Sequence, residues 1–248
     1  MESFSQDLQP FRAFRALGLS FKAWFGNFVP ITVLAAILYA PAIYELGSMS
    51  SSGDTTAEDA ERFMLMFWML IGASALVAPL ITYRVVQYLN GAKVSMISSV
   101  GHGVRGIIPI AIFVGVQIAI GLIPQIGQFI NIFIQCIFFV CGSAAVVERL
   151  NPIAALRRSA ELTAGRRGGI FGVCFLVGLV VLVAIVIVVW PVFQDGADAA
   201  TFKHSLLIAV PIFCAYELLI GILQAVSYAL LRLDKDGVTH SELAKVFE

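Results

Sequence analysis

The chain alternates between long apolar runs and short polar gaps. The runs are Phe28–Leu46, Phe63–Leu89, Ile107–Ile123, Gly127–Val147, Ile170–Phe193 and Leu206–Leu231. Each run approaches or exceeds the ~18 residues that cross a bilayer as a helix. The pattern therefore predicts an all-α fold, a polytopic membrane helix bundle with six transmembrane helices.

The charges lie in the gaps, and their sign alternates from gap to gap. One set of gaps, together with Arg84 near the inner end of the second run, holds every Lys and Arg except Arg62 and Lys203, which lie among acidic residues on the opposite side. Because Lys/Arg-rich loops stay cytoplasmic, we predict that both termini, including a tail over residues 232–248, are cytoplasmic. Charged residues make up only 13% of the chain, too few for a separate soluble domain, so residues 1–248 form a single integral membrane domain.

The sequence before the first run predicts a basic amphipathic helix over residues 6–27. Aromatic and leucine side chains recur there every three or four positions, while Arg12, Arg15 and Lys22 lie off this stripe. A helix of this kind lies in the membrane interface with its basic side toward the headgroups. The alternative is a plain helical extension of the first span.

A second interfacial helix is predicted over residues 151–164. Asn151 suits the N-cap, Pro152 the first helical position and Gly165 the C-cap. Basic residues lie on its polar side and directly after its end: Arg157, Arg158, Arg166 and Arg167. Together with the three basic residues of the first helix, they are candidate contacts for anionic lipid headgroups. Each basic residue near such a surface contributes ~1 kcal/mol of binding free energy.

Polar residues at helical spacing occur inside three of the spans. This candidate intramembrane stripe consists of Gln117, Gln128, Asn131, Gln135, Glu217 and Gln224. An ionisable group near the centre of a span, such as Glu217, costs about 2.5–3.5 kcal/mol and faces the bundle or a cavity. Two interpretations stay open: hydrogen bonds between helices, or a polar cavity in which Glu217 binds a proton or cation.

The sequence contains no pattern of a soluble enzyme. It lacks phosphate-binding glycine loops and metalloprotease or serine-hydrolase motifs, its histidines are isolated, and its four cysteines all fall inside apolar runs. We therefore expect no catalytic residues, no metal, no cofactor and no nucleic-acid partner. Gly168 and Gly172 have the spacing of a close helix contact, either within the chain or with a second copy.

Three fragments carry a family resemblance: GAKVSMISSVGHGVRGIIPI, VVERLNPIAALRRSAELTAGRRGGIFGV and AVSYALLRLDKDGVTHSELAKVFE. They resemble the bacterial membrane-domain family named for its fusion to glycerophosphoryl diester phosphodiesterases, and the related YciC-like inner-membrane proteins. The matching positions are Glu148, Pro152, Ala155, Leu156, Arg158, Ser159, Leu162, Thr163, Gly165, Tyr228, Leu231, Arg232 and Gly237. The resemblance implies a six-span protein of the bacterial inner membrane that lacks the catalytic phosphodiesterase domain.

The sequence favours a non-enzymatic membrane protein that acts as a scaffold or as a lipid-interacting, membrane-shaping oligomer. Its partners would be anionic inner-leaflet lipids, further copies of the chain or other membrane proteins. The alternative is a channel or transporter built on the stripe around Glu217. A cavity that reaches Glu217 would favour the alternative, and a tightly packed core would favour the scaffold.

Overall fold

The computed structural model describes residues 11–49, 57–92, 94–123, 126–194 and 199–237, which contain helices and no strands. The helices are α1 (Ala13–Gly26), α2 (Phe28–Ser48), α3 (Ala57–Leu89), α4 (Met96–Gly103), α5 (Ile107–Gly121), α6 (Ile126–Ile137), α7 (Cys141–Glu148), α8 (Pro152–Thr163), α9 (Arg167–Val189) and α10 (Ala199–Asp236). Six helical stretches are long and apolar enough to cross a membrane. The chain is thus an all-helical, multi-pass membrane protein.

Two of the spans differ from the expected simple helices. The third begins at Met96, since α4, a 3₁₀ turn at Val104–Gly106 and α5 follow one another without a gap. The fourth was expected as one helix over Gly127–Val147, but it is divided at residues 138–140 into α6 and α7. The expected tail from residue 232 is helical as far as Asp236, where α10 ends; residues 238–248 lie outside the described part.

The centre of the fold is the pair α3 and α10. Gly221 of α10 lies directly against the backbone of Ala78, where an added Cβ would be 3.2 Å from the Ala78 Cα. Such small residues let membrane helices approach closely and gain dispersion energy, because lipid provides no hydrophobic drive for helix association. The helices α2 and α4 pack on α3, while α1 and α9 pack on α10.

Packing differs between the two halves of the bundle. One half, here called the basic half, contains the ends of α3, α7 and α10 that carry Arg84, Glu148 and Arg232, and these three helix ends are buried over nearly their whole circumference. In the other half, apolar side chains of α5, α6 and α9 such as Phe133 and Phe175 are exposed. These side chains suit contact with lipid.

Arg62 and Lys203, the two basic residues on the side opposite the basic half, both have partners there. Arg62 pairs with Glu58 at 2.7 Å and with Glu45 at 3.4 Å. The ammonium group of Lys203 donates hydrogen bonds to the Gly47 and Met49 carbonyls. The beginnings of α3 and α10 therefore meet the end of α2 on this side.

Helix α8 has the ends that the sequence predicts. The Asn151 side chain accepts a hydrogen bond from the Ala154 N–H at 2.8 Å, Pro152 is the first helical residue, and Gly165 has a φ of +81°. The buried side is not simply the apolar one, because Ile153 is 80% exposed whereas Ser159 is fully buried. Whether α8 lies at a membrane interface stays a prediction.

Candidate functional site: a polar cavity within the bundle

A cavity of about 440 Å³ lies between α3, α5, α6 and α10. Its polar lining consists of Ser74, Gln117, Asn131, Gln135, Glu217 and Gln224. Gln135 is exposed, so the cavity opens to the outside of the bundle beside α6. Four of the six spans thus surround a space that is lined in part by polar side chains.

Five of the six residues in the predicted polar stripe line this cavity. The exception is Gln128, whose side chain lies outside the described part of the structure. Sequence reasoning missed Ser74, because a single serine in the long apolar α3 gives no periodic signal. Ser74 is connected to α2 by a 3.2 Å hydrogen bond between its hydroxyl and that of Tyr39.

Glu217 is the only charged side chain among the described residues that line the cavity. It lies 18 residues after the first residue of α10 and 19 before the last, which places it near the middle of the bilayer. Within the described part of the chain, its carboxyl group has no hydrogen bond or ion pair. A carboxyl group at this depth is costly unless it meets a partner or water.

Asn131 joins α5 and α6 next to Glu217. Its Nδ2 donates a 3.0 Å hydrogen bond to the Gln117 carbonyl, while its Oδ1 is buried without a partner among the described residues. A buried polar atom without a hydrogen bond costs about 1–3 kcal/mol. The site therefore contains a second oxygen that would gain from a ligand or water.

The break between α6 and α7 borders the cavity. Phe138, Phe139, Cys141 and Gly142 line the cavity wall at this point. Irregular backbone at membrane depth is tolerated only where it is buried in protein or lines a cavity. Here the α8 side chains Ser159 and Thr163 form hydrogen bonds with the backbone of the break.

Below the cavity, the basic half is closed by glycines in tight contact. A Cβ on Gly103 would lie 2.6 Å from the Leu80 Cα, and one on Gly106 would lie 2.7 Å from the Pro79 Cβ. A 3.2 Å hydrogen bond between the Thr82 and Ser143 hydroxyls joins α3 to α7 in the same region. The cavity therefore does not continue through the basic half in this conformation.

An ion-pair network joins α7, α8 and α10 at the end of the basic half. Glu148 accepts hydrogen bonds from the Arg158 Nε at 3.0 Å and from the Tyr228 hydroxyl at 2.9 Å, and the Arg232 Nε lies 3.9 Å away. Arg158 also pairs with Asp236. Burial alone would lower the pKa of Arg158, but the hydrogen bonds to Asp236 and Glu148 outweigh it and raise this pKa above its usual value. The network unites four positions of the family resemblance.

The candidate lipid contacts of α8 fall into two groups. Arg158 has a side chain only 22% exposed and Arg166 pairs with Asp234 at 2.8 Å, so both already have partners within the chain. Arg157 and Arg167 also have partners, since Arg157 pairs with Glu161 at 3.1 Å and Arg167 donates a hydrogen bond to the Ala160 carbonyl, but Arg157 is 82% exposed and Arg167 is exposed as well. Arg157 and Arg167 are thus the arginines of this group best placed to reach a headgroup.

The buried face of helix α1 differs from the predicted aromatic stripe. Its buried residues include Ala16, Ser20 and Ala23, which pack against α10 and α9, whereas Phe14 and Phe25 are 74% and 71% exposed. Small residues allow close packing, and the rings of Phe14 and Phe25 point away from the bundle, whereas Phe11 is buried in the core. Of the predicted basic contacts in α1 and just before it, Arg12 and Lys22 are exposed and Arg15 is half-buried.

The described residues contain no group of three or more His, Cys, Asp or Glu side chains that could hold a metal ion. No residue of the described chain lies within 4 Å of a Cβ built on Gly168 or Gly172, so any close contact there would involve another molecule.

The chemistry of the cavity is that of one carboxyl group, four amides and a hydroxyl. It suits binding of a cation or a neutral polar solute.

Comparisons with known proteins identify no relative. No family model, no curated protein and no solved structure matches the chain. The class of protein is therefore defined by the fold alone, as a multi-pass membrane protein with a polar cavity. The resemblance to the phosphodiesterase-associated membrane domain stays a prediction.

Proposed function

We propose that the protein binds a small cation or a neutral polar solute in the cavity and passes it across the membrane, as a channel or transporter. The observation that carries the proposal is Glu217, which lies near mid-membrane in a polar cavity without a hydrogen-bonding partner in the described chain. Ionisable groups at this depth mark ion or solute pathways when they face a cavity.

The charge of the lining favours a cation over an anion. The described residues that line the cavity include one carboxyl group and no Lys, Arg or His. Inside a low-dielectric bundle, one negative charge strongly attracts a cation and repels an anion. The amide oxygens of Asn131 and Gln135 add acceptors of the kind that replace water around a cation.

The divided fourth span supports the same function. Transporters place their binding sites beside discontinuous helices near the membrane midplane, and α6 and α7 are divided beside this cavity. The tight glycine contacts of the basic half are consistent with a pathway that is closed on one side.

The proposal can be tested by ion flux into liposomes that contain the purified protein. The probes are protons, Na⁺, K⁺ and methylammonium, each driven by a defined gradient and compared with chloride. We expect uptake of at least one cation above protein-free liposomes, a fall to that background in Glu217→Gln, and no chloride uptake. The matched control is Glu161→Gln, which removes an exposed carboxylate outside the cavity.

Two outcomes would contradict the proposal. One is uptake by Glu217→Gln equal to that of the unchanged protein. The other is no uptake of any probe cation above protein-free liposomes, with or without chloride uptake. Loss of uptake in Glu161→Gln as well would assign the effect to general damage rather than to the cavity.

Lipid interaction through the inner-face helices is a second candidate function. The observation that favours it is a set of four exposed side chains: Phe14, Lys22 and Phe25 of α1, and Arg12 directly before it. Exposed aromatic rings next to basic residues suit insertion at an anionic interface. This function is compatible with a scaffold or with oligomers formed through the exposed face of α9, and with a place in the bacterial inner membrane with both termini cytoplasmic.

Co-purifying lipid tests the second candidate. Replacing Arg12, Arg15 and Lys22 with Glu should reduce the ratio of phosphatidylglycerol to phosphatidylethanolamine that remains bound after detergent extraction. Arg62→Glu is the control, because Arg62 lies on the opposite side. An unchanged ratio in the triple variant would contradict a role for α1 in lipid selection.

A further inference from the structure

The break in the fourth span leaves backbone groups without partners in their own helix. The Cys141 N–H, which would reach the Ile137 carbonyl in a continuous helix, instead donates to the Phe138 carbonyl at 3.0 Å. The Ile137 carbonyl and the Val140 N–H therefore need partners from elsewhere. In a membrane-embedded bundle, water is scarce and an unpaired backbone group is costly.

Helix α8 supplies both partners from two hydroxyl side chains. The Ser159 hydroxyl donates to the Ile137 carbonyl at 3.1 Å and accepts a 3.3 Å hydrogen bond from the Val140 N–H. The Thr163 hydroxyl lies 3.0 Å from the same carbonyl and 2.9 Å from the Ser159 carbonyl of its own helix, so its proton is shared between the two. Ser159 and Thr163 are fully buried, so no solvent competes for these bonds.

The rest of α8 is fixed to the ends of two spans. Arg158 is bonded to Glu148 at the end of α7 and to Asp236 at the end of α10. Just after α8, Arg166 pairs with Asp234 at 2.8 Å. One side of α8 thus contacts the break, and the other is tied to the helix that carries Glu217.

We propose that α8 is a clamp that holds the break between α6 and α7 in its present conformation, with Ser159 and Thr163 as its positioning residues. The break residues form part of the cavity wall, so release of the clamp changes the shape of the cavity. The clamp itself does not depend on what the cavity carries. Its test is therefore separate from that of the proposed function.

Cys141 is a native reporter for the clamp, since it is the first residue of α7 and is 1% exposed. The full-length protein, with its other three cysteines replaced by Ala, is treated in membranes with N-ethylmaleimide, and the labelling rate is measured. Local opening governs the labelling of a buried thiol. We expect Thr163→Val, which keeps the volume but removes the hydroxyl, to raise the rate about tenfold.

Two variants distinguish a clamp from general packing. Thr163→Ser keeps the hydroxyl and should leave the Cys141 rate within about twofold of the unchanged protein, as should Ser20→Ala, whose hydroxyl bonds only within its own helix. A second reporter protein carries Cys214 as its single cysteine, and its rate should stay unchanged in Thr163→Val.

Each remaining outcome overturns the clamp. Equal rates for Thr163→Val and the unchanged protein would show that the hydroxyl does not hold the break. Equal increases in Thr163→Val and Thr163→Ser would assign the effect to disturbed packing at residue 163 rather than to the lost hydroxyl. An equal increase at Cys214 would mean general loosening of the bundle. The same conclusion would follow if Thr163→Val unfolded while Thr163→Ser stayed folded but was labelled rapidly at Cys141.

Discussion

Two glycines of α4 allow a sharp test of the packing in the basic half. An added Cβ on Gly103 would lie 2.6 Å from the Leu80 Cα and 2.7 Å from the Pro79 carbonyl oxygen, whereas one on Gly101 meets nothing within 4 Å. The obstacle at Gly103 is backbone, which cannot rotate away. Gly103→Ala therefore forces α4 and α3 apart by about 1 Å, since carbon atoms in contact prefer ~3.5–4 Å.

The energies follow from these distances. Overpacking costs about 1–3 kcal/mol, and often more against backbone, while Gly→Ala in a helix gains up to ~1 kcal/mol. We expect a net loss of about 2 kcal/mol for Gly103→Ala, equivalent to a melting temperature lower by about 4–8 °C in a chain of this length. Gly101→Ala keeps only the helical gain and should raise the melting temperature by about 2–4 °C.

The assay is thermal unfolding of the detergent-purified variants, followed by intrinsic fluorescence under identical conditions. Because the two substitutions are chemically the same and two residues apart, their difference isolates the contact between α4 and α3. A Gly103→Ala protein as stable as Gly101→Ala would refute the reasoning and the close approach on which it rests.

Two further predictions concern hydrogen bonds of the basic half, and a third concerns the orientation of the chain. Ser99→Ala removes a hydroxyl that donates to the Leu80 carbonyl at 2.7 Å, and should lower stability by about 1–3 kcal/mol in the same assay. Asn151→Ala removes the N-cap of α8 and should cost about 1 kcal/mol, with Asn151→Asp close to the unchanged protein; equal losses would contradict the cap. A reporter enzyme that works only outside the cytoplasm should be active when it is fused at Asp54. An inactive fusion would overturn the proposed orientation.

The sequence was informative where local chemistry determines local structure. The six spans follow from apolar length, and the ends of α8 follow from the side chain of Asn151 and the conformational freedom of Gly165. The polar stripe was also predictable, because Asn131, Gln135 and Glu217 are costly in lipid and must turn inward. If the three spans that carry the stripe pack together, its residues must meet around one cavity.

The break in the fourth span could not be read from the sequence. Phe138, Phe139 and Val140 are apolar and lie inside an apolar run, and the hydroxyls of Ser159 and Thr163 that satisfy the break are about 20 residues away. The buried face of α1 was hidden for another reason. Where the surroundings are apolar, an aromatic stripe does not distinguish lipid from protein, and the small side chains of Ala16 and Ala23 mark the packed face instead.

Helix α10 is much longer than the membrane is thick. Its 38 residues extend about 57 Å, nearly twice the ~30 Å hydrocarbon core of a bilayer. A stiff rod of this length works as a lever. If α10 pivots by ~10° about Glu217, its far end at Asp236 moves by about 5 Å, so a small adjustment around the carboxyl group becomes a large displacement at the ion pair between Asp236 and Arg158.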